Sequence, residues 1–265
     1  MGDPRLQLIV NPYSFTAAGA RNAGADHATG SGLRFLTITM SGCRTSWKAF
    51  VSGPAPSLVS CLSRVVTPTG SYVRPQVVYY NSTSIDEYLF DRRSVFKGPG
   101  FIQTSSYLLP RRLFDKVRFN AESAHYDWEF VIRLSKQAGM RIETVPEALV
   151  VLYFEEERPS YTSRTWSWSR SLRWLDSMQP IITRRAYSGF CLSVVGSRAA
   201  QEGACTAFPK LLYRAFRYGS PRLWHVLPFL AYSLIPQGFQ PQLRDLFRGW
   251  PRAAPFYRPG SSRSG

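Results

Sequence analysis

The chain has 265 residues, of which 44% are hydrophobic, and its formal net charge is +16. That length and apolar content are sufficient to bury the core of one or two domains. The four cysteines are unevenly spaced and form neither a CxxC pair nor a group with histidines, which argues against a zinc site or disulfide framework and fits a reducing compartment. The opening residues lack the pattern of a signal peptide, and no stretch reaches the roughly 20 apolar residues of a membrane-spanning helix.

The first half of the chain contains a stretch without regular periodicity. Residues 37–63 are rich in Ser, Cys, Thr and Gly and follow neither the strand nor the helix period, so we predict an irregular segment. A mobile surface loop would have a similar composition. The pattern of Val65–Val73 then predicts a strand, a turn and a second strand.

A short helix is predicted further along the chain. Apolar residues recur at three- and four-residue spacing from Phe130 to Ala138, and Gly139 follows, where a helix commonly ends. Asp127 lies near the N-terminus of this helix, beside aromatic residues and His125, in a position suited to a catalytic base. The alternative is that Asp127 only caps the helix, since a carboxylate in the first turn is stabilised by backbone N–H groups and by the helix dipole.

The C-terminal region is basic and is predicted to be helical. Residues 158–265 hold sixteen Arg or Lys against three acidic residues, which gives 16 − 3 = +13, whereas residues 1–157 contribute only 17 − 14 = +3. Proline and glycine divide the region into four predicted helices. These helices are Trp166–Leu175, Arg184–Ala200, Phe208–Tyr218 and Pro221–Leu234.

Arginines and tryptophans alternate through this region, which suits contact with an anionic membrane surface. Leu223–Leu234 is the best candidate for that contact, and the alternative is a helix packed on the preceding domain. A nucleic-acid-binding protein would also be compatible with the charge. Because the arginines do not belong to a recognisable binding module, we expect no nucleic-acid partner.

Two blocks of the chain resemble the family 2 glycosyltransferases, inverting enzymes with a GT-A fold that transfer a sugar from a nucleotide donor. The first block, Asn11–Leu36, contains the run Ala-Arg-Asn-Ala-Gly and ends in Leu-Arg-Phe-Leu. The second, from Ile85 to Trp174, contains Asp-Trp-Glu at Asp127 and a segment, Arg170–Trp174, that resembles the family's QxxRW motif with arginine in place of glutamine. The order and spacing of the fragments carry the resemblance.

The resemblance implies roles for particular residues. Asp127 is then the general base that deprotonates the acceptor hydroxyl, with Glu129 as the rival carboxylate and His125 as a group that could assist. Other matched positions are assigned to ligand contacts. The donor phosphates are assigned to Arg21 and Asn22, and the acceptor to Gly100, Gln103, Thr104 and Trp128.

The donor half of the family pattern is incomplete here. The family holds a divalent cation, Mg²⁺ or Mn²⁺, with an Asp-x-Asp motif, but this chain has Thr37-Ile38-Thr39 at that place, so the expected ligands are not present. With GC-rich codon choices, a shift of one base allows acidic codons here, and we hypothesise that residues 37–56 are translated out of frame. The alternative is a degenerate or metal-independent member of the family. The family's nucleobase-binding opening strands also lack a counterpart before Leu6–Val10, so an N-terminal truncation is expected.

We therefore predict an α/β protein with two parts. Residues 1–157 form an incomplete GT-A-like, Rossmann-like domain, and residues 158–265 form a basic helical C-terminal region. The expected ligands are a nucleotide-sugar donor and a saccharide or lipid-linked acceptor, at a cytoplasmic location that is peripheral to the inner face of the membrane. The alternatives are a non-catalytic remnant of such an enzyme or a basic protein that binds nucleic acid or membrane surfaces.

Overall fold

A computed structural model describes residues 7–10, 16–36, 40–42, 57–68, 70–92, 94, 100–136, 140–153 and 167–234. Helices and strands are mixed along the chain, so the predicted α/β class is confirmed. The strands are β1 Gly32–Arg34, β2 Met40–Gly42, β3 Ser57–Thr67, β4 Gly70–Arg74, β5 Tyr107–Pro110 and β6 Arg141–Tyr153. The helices are α1 Ala17–His27, α2 Ile85–Phe90, α3 Arg111–Lys116, α4 Tyr126–Ser135, α5 Trp168–Met178, α6 Arg184–Phe190, α7 Gly196–Gln201, α8 Ala207–Tyr218 and α9 Leu223–Leu234.

The six described strands form one sheet in the order β1-β5-β3-β6-β2, and β4 pairs with the second half of β3. β3 and β6 are parallel, whereas the other pairs are antiparallel. β3 lies at the centre and is buried over Leu58–Cys61 on both faces, as expected for a strand covered on both sides. The long β3–β6 pair therefore forms the axis of the sheet.

Part of the segment that we predicted to be irregular is regular. Met40–Gly42 pairs with β6, and Ser57–Ser63 is the first half of β3. The serines at 60 and 63 are buried, so packing in the sheet overrides a composition that resembled a loop. The predicted strand, turn and strand over Val65–Val73 are confirmed by the β3–β4 hairpin. Residues 37–39 and 43–56, which carry most of the proposed frameshift, lie outside the described residues.

All four predicted C-terminal helices are present, with boundaries shifted by a few residues. α6 and α7 form one continuous helix that is interrupted by a π-helical turn at Cys191–Val195. Ser167 caps α5 by accepting from the Arg170 amide at 3.2 Å, and Thr183 caps α6 by accepting from the Ala186 amide at 3.1 Å. None of the described helices combines the length and apolar character needed to span a bilayer.

The helical region shares its core with the sheet-bearing part of the chain. Phe90 at the end of α2 packs edge-on against Phe190 in α6, with ring centroids 4.9 Å apart, and against Trp174 in α5. A single hydrophobic cluster contains all three rings together with Leu58 of β3. Within the described residues, the predicted C-terminal helices therefore pack against the sheet-bearing part of the chain.

Two buried carboxylates reinforce this junction. Asp86 in α2 accepts from the Thr183 amide at 2.6 Å and from Lys136 Nζ at 2.8 Å. Burial alone would raise the pKa of Asp86, but hydrogen bonds from Lys136, Ser84 and the Thr183 backbone lower that pKa overall. The two parts of the chain are thus joined by charge-assisted hydrogen bonds as well as by apolar packing.

The second carboxylate, Asp91, lies immediately after α2. His225 Nε2 in α9 lies 2.9 Å from Asp91 Oδ1, and Arg222 Nη1 lies 3.2 Å from Asp91 Oδ2. We call this group of three residues the Asp91 clamp. It fixes the start of α9 to the end of α2.

Close packing between α6 and α2 generates a testable prediction. A Cβ atom added at Gly189 would lie 2.2 Å from the Phe90 carbonyl oxygen, whereas a Cβ atom at Gly24 in α1 would meet nothing within 4 Å. We expect Gly189→Ala to lower the free energy of unfolding by about 2 kcal/mol, because backbone atoms must move. The matched control Gly24→Ala should raise it by about 0.5–1 kcal/mol. Urea unfolding measures both, and equal effects would contradict the proposed close approach.

Candidate active site

Asp127 lies in the first turn of α4. The helix spans Tyr126–Ser135 and buries its apolar face, as the spacing predicted. Its N-cap is His125, which makes no capping hydrogen bond through its side chain. Asp127 lies inside the helix, and its described hydrogen bonds go to other side chains. Those contacts do not support the alternative in which Asp127 is only a helix cap.

Asp127 is held by residues from two distant parts of the sequence. Thr104 Oγ1 donates to Asp127 Oδ1 at 2.5 Å, and Arg21 Nη1 donates to the same oxygen at 3.2 Å. Within the described residues, Oδ2 makes no hydrogen bond, and the side chain is 36% exposed. One carboxylate oxygen is therefore fixed while the other remains available to a ligand. Three of the predicted site residues are brought together.

The guanidinium group of Arg21 packs on two aromatic rings. Its guanidinium carbon lies 5.1 Å from the ring centroid of Tyr126 and 5.6 Å from that of Phe119, within the range of a cation–π contact. Burial alone would lower the pKa of Arg21, but attraction from Asp127 and Tyr126 raises that pKa overall. Arg21 thus stays charged beside the Asp127 carboxylate.

The surroundings of Asp127 favour a basic carboxylate. Protein atoms around the group replace much of its hydration, and this burial raises the pKa of Asp127 above its ordinary value despite the opposing effects of Arg21 and Thr104. A raised pKa brings a carboxylate closer to the range in which a general base is effective at neutral pH. The site can therefore accept a proton from a hydroxyl group placed beside Oδ2.

Two tyrosines belong to this site although sequence reasoning missed them. Burial and the nearby negative charge of Asp127 raise the pKa of both the Tyr107 and the Tyr126 hydroxyl groups, so both stay neutral at physiological pH. Their proximity in sequence to Thr104 and Asp127 was the one available signal. It is weak, because aromatic residues near a helix start are usually part of the core.

The side chain of Asn22, predicted to contact the donor phosphates, forms hydrogen bonds to the backbone of Phe119. Its Nδ2 donates to the Phe119 carbonyl at 2.8 Å, and its Oδ1 accepts from the Phe119 amide at 3.1 Å. Both ends of the amide are therefore occupied by one residue. This pair holds α1 against the segment before α4 and so sets the position of Arg21, which is the neighbouring residue in α1.

The predicted acceptor contacts other than Thr104 have structural partners. Gly100 donates its amide to the Tyr88 carbonyl at 2.7 Å, and a Cβ atom there would lie 2.4 Å from the Tyr88 ring. Trp128 is half-buried and stacks on His125, with ring centroids 5.1 Å apart. Gln103 accepts at its carbonyl oxygen from Ser106. The described hydrogen bonds of the Asp127 side chain involve none of these three residues, so their acceptor roles stay predictions.

His125 is buried rather than located at the surface. Its Nε2 lies 3.0 Å from Ser171 Oγ, and its ring packs on Trp128 and Trp174. Burial, together with the nearby Arg198 and Arg170, lowers the pKa of His125 to about 3, so the ring is neutral. The neutral His125 imidazole therefore packs in the core near the site, and its assisting role stays a prediction.

Glu129, the rival carboxylate, is buried and hydrogen-bonded within the fold. Its side chain is 4% exposed and accepts from Trp174 Nε1 at 3.0 Å, Arg133 Nε at 2.8 Å and Asn120 Nδ2 at 3.3 Å. Burial alone would raise the pKa of Glu129, but hydrogen bonds from Ser123, Arg133, Trp174 and Asn120 lower that pKa overall. The tryptophan of the QxxRW-like segment therefore binds the glutamate of Asp-Trp-Glu. Asp127 remains the better candidate for the base.

A cavity of about 450 Å³ adjoins Arg21 on the side of α1 and β1. Its walls include Ala20, Gly24 and Leu33, and the charged residues Arg21 and Arg34 border it. Small residues on α1 leave this space open, and the two arginines are the charged residues at its border. Arg21 is shared by the cavity and the Asp127 site, so a ligand in the cavity would lie next to the candidate base.

The described residues do not fit the divalent cation that the resemblance implies. They contain no group of three or more His, Cys, Asp or Glu that could hold a metal ion. Asp127 is paired with Arg21, and the Glu129 oxygens are occupied by donors. We therefore assign no chemical step to Mg²⁺ or Mn²⁺.

The structural role of Glu129 predicts a pH-dependent stability defect. At neutral pH, Glu129→Gln should lower the free energy of unfolding by about 2–3 kcal/mol, because it removes a buried, hydrogen-bonded charge. The lowered pKa means that this contribution is present above the ordinary glutamate pKa of about 4.3 and is lost as pH falls through the folded-state pKa. Glu122→Gln, at an exposed position, should change stability by less than about 0.5 kcal/mol. Urea titrations from neutral to acid pH test this, and a pH-independent difference would contradict it.

Comparison with known proteins supports part of the sequence interpretation. No protein-family profile matches the chain. The chain is 29% identical over 191 residues to the amylovoran biosynthesis glycosyltransferase AmsB of Erwinia amylovora. The matched region covers 68% of this chain and 61% of that relative, so the chain spans less than two thirds of the relative's length. The predicted resemblance to glycosyltransferases is thus supported by similarity to a named glycosyltransferase.

Proposed function

We propose that the chain transfers a sugar from a nucleotide-sugar donor to a hydroxyl group of a saccharide or lipid-linked acceptor, in the manner of an inverting family 2, GT-A-type glycosyltransferase. The observation that carries this proposal is the arrangement at Asp127. One oxygen is anchored by Thr104 and Arg21, and the second is free of hydrogen bonds to the described residues. The similarity to AmsB supports the same reaction class.

The chemical step uses Asp127 as a general base. The acceptor hydroxyl gives its proton to Asp127 Oδ2 while its oxygen forms a bond to the anomeric carbon of the donor sugar. The bond from that carbon to the diphosphate oxygen breaks, and its electron pair leaves with the diphosphate. Attack from the side opposite the leaving group inverts the anomeric centre. Thr104 and Arg21 hold the carboxylate in place throughout.

The donor side of the proposed reaction depends on arginine. Arg21 and Arg34 border the cavity next to Asp127, and a guanidinium group is a donor that suits phosphate oxygens. Asn22 would act indirectly by fixing α1 on Phe119. Arg21 then has two tasks, since it is attracted to the leaving group and also steadies the base.

The acceptor side of the site is proposed to include Gln103 and Trp128. Gln103 precedes Thr104, which bonds to Asp127, and Trp128 follows Asp127 in α4. The half-buried Trp128 ring offers an edge against which a sugar can pack. A role in polysaccharide biosynthesis for the cell envelope, at the cytoplasmic side of the membrane, fits an acceptor of this kind.

A non-catalytic remnant of such an enzyme is the second candidate. It is favoured by the sequence Thr37-Ile38-Thr39, at the place where the family has its cation ligands. Resequencing the gene across residues 37–56 distinguishes an altered reading frame from a degenerate site. An intact frame, combined with the absence of transfer from any nucleotide sugar, would favour the remnant.

The base assignment is tested by Asp127→Asn. We expect transfer to fall by about 10²–10⁴-fold, because the amide cannot accept the acceptor proton. The matched control Asp115→Asn, at an exposed position in α3, should retain wild-type activity. Release of nucleoside diphosphate is measured with a panel of UDP- and GDP-sugars and a membrane lipid extract, with Mg²⁺ or Mn²⁺ added. Full activity of Asp127→Asn would exclude Asp127 as the base.

The role of Arg21 predicts a change in the pH profile. A general base must be ionised, so activity falls at acid pH as Asp127 becomes protonated. Arg21 favours the ionised carboxylate, so Arg21→Gln should raise the pKa of Asp127 and move the acid limb of kcat/KM to higher pH.

Arg21→Lys keeps the positive charge and serves as the control for this experiment. Its acid limb should lie closer to the wild-type limb, although the loss of the planar guanidinium should raise KM for the donor. An acid limb that is identical in all three proteins would show that Asp127 and Arg21 are not coupled during the reaction.

A further inference from the structure

We propose that α8 and α9 form a docking surface for an anionic lipid bilayer, a property separate from the catalytic proposal. Large apolar side chains on both helices are between 38% and 64% exposed. We call this surface the α8–α9 face. Its members are Tyr213, Phe216, Leu223, Trp224, Leu227 and Leu230.

The face follows from the amphipathic pattern of the two helices. α8 buries Ala207, Leu211 and Ala215 at four-residue spacing, which directs Tyr213 and Phe216 outwards. α9 does not follow the usual rule, because its outward positions are also apolar. This second helix is apolar on both its packed and its exposed sides, which is costly in water unless the exposed side has a partner.

The two helices lie on a common supporting helix. Both helices pack against the continuous helix that runs from α6 through α7, and they touch each other where Phe208 meets Phe229, with ring centroids 5.7 Å apart. A Cβ atom at Gly196 would lie 2.7 Å from the Phe229 ring, so α9 approaches α7 closely. The face is therefore supported by the core.

The charge around the face complements an anionic surface. Residues 203–244 contain no Asp or Glu but contain five Arg or Lys. Lys210 and Arg217 are exposed on α8 beside the apolar residues. Arg214 on α8 pairs with Asp176, and Arg222, directly before α9, pairs with Asp91. Lysine and arginine next to inserted apolar and aromatic side chains are the combination that binds peripheral proteins to anionic lipids.

Charge also argues against the other candidate occupants. A second copy of the chain would bring two surfaces with an excess of Lys and Arg into contact, which is unfavourable. The segment that follows α9, residues 235–265, carries five arginines and one aspartate, a balance of 5 − 1 = +4, and would be repelled in the same way. Nucleic acid would satisfy the charge but would leave the exposed leucines without an apolar partner. Anionic lipid satisfies both properties.

Vesicle binding tests the proposal. The full chain is sedimented with vesicles of phosphatidylcholine, with and without phosphatidylglycerol, at low and high salt. We expect binding only when phosphatidylglycerol is present, and weaker binding at high salt, because salt screens the charges. Phe216→Gln with Leu227→Gln, and separately Lys210→Gln with Arg217→Gln, should each weaken binding by about tenfold.

Matched controls place similar changes elsewhere on the surface. Tyr80→Gln removes another exposed aromatic residue, and Arg112→Gln with Lys116→Gln removes two exposed cations from α3. Both controls should bind vesicles like the wild type, and circular dichroism should show that every variant is folded. The proposal is overturned if the controls weaken binding as much as the test variants do, or if the full chain does not bind anionic vesicles. It is also overturned if the test variants only dissociate a dimer or only reduce retention on DNA.

Discussion

The hydrogen bond from Trp174 to Glu129 joins the helix that carries the candidate base to the helical region that follows it. Burying a carboxylate is costly unless donors surround it, and Glu129 receives them from α5, from its own helix and from the loop before that helix. Once Glu129 is fixed in the core, the direction of α4 is set. Asp127, two residues earlier, then lies at the edge where Thr104 and Arg21 can reach it.

Two carboxylates on one helix thus have different roles because their surroundings differ. Hydrogen bonds lower the pKa of Glu129 and stabilise its charge. Burial raises the pKa of Asp127, because the contacts with Arg21 and Thr104 offset only part of this effect. The first residue contributes to stability and the second retains the capacity to bind a proton. Arg21 limits the rise in the pKa of Asp127. The position of Arg21 depends in turn on the two hydrogen bonds between Asn22 and the Phe119 backbone.

The spacing of apolar residues predicted where the helices lie, but it could not predict which distant residues contact one another. The boundaries of α8 and α9 were predicted within a few residues, because glycine and proline mark their ends. Whether Asp127 was a cap or a base depended on Thr104 and Arg21, which are 23 and 106 residues away in sequence. The contacts between the two predicted parts of the chain also have no local signal, since the Phe90 ring meets Phe190 and Trp174 from a distant segment of the sequence.

The Asp91 clamp sets a lower limit on the part of the chain that can fold independently. Asp91 is buried directly after α2, but the groups that compensate it are Arg222, directly before α9, and His225 in α9. A shorter chain ending before Arg222 would lose both groups that compensate this carboxylate, together with packing that buries it. The autonomous folding unit therefore extends through the start of α9, and the helical region is as necessary to it as the sheet.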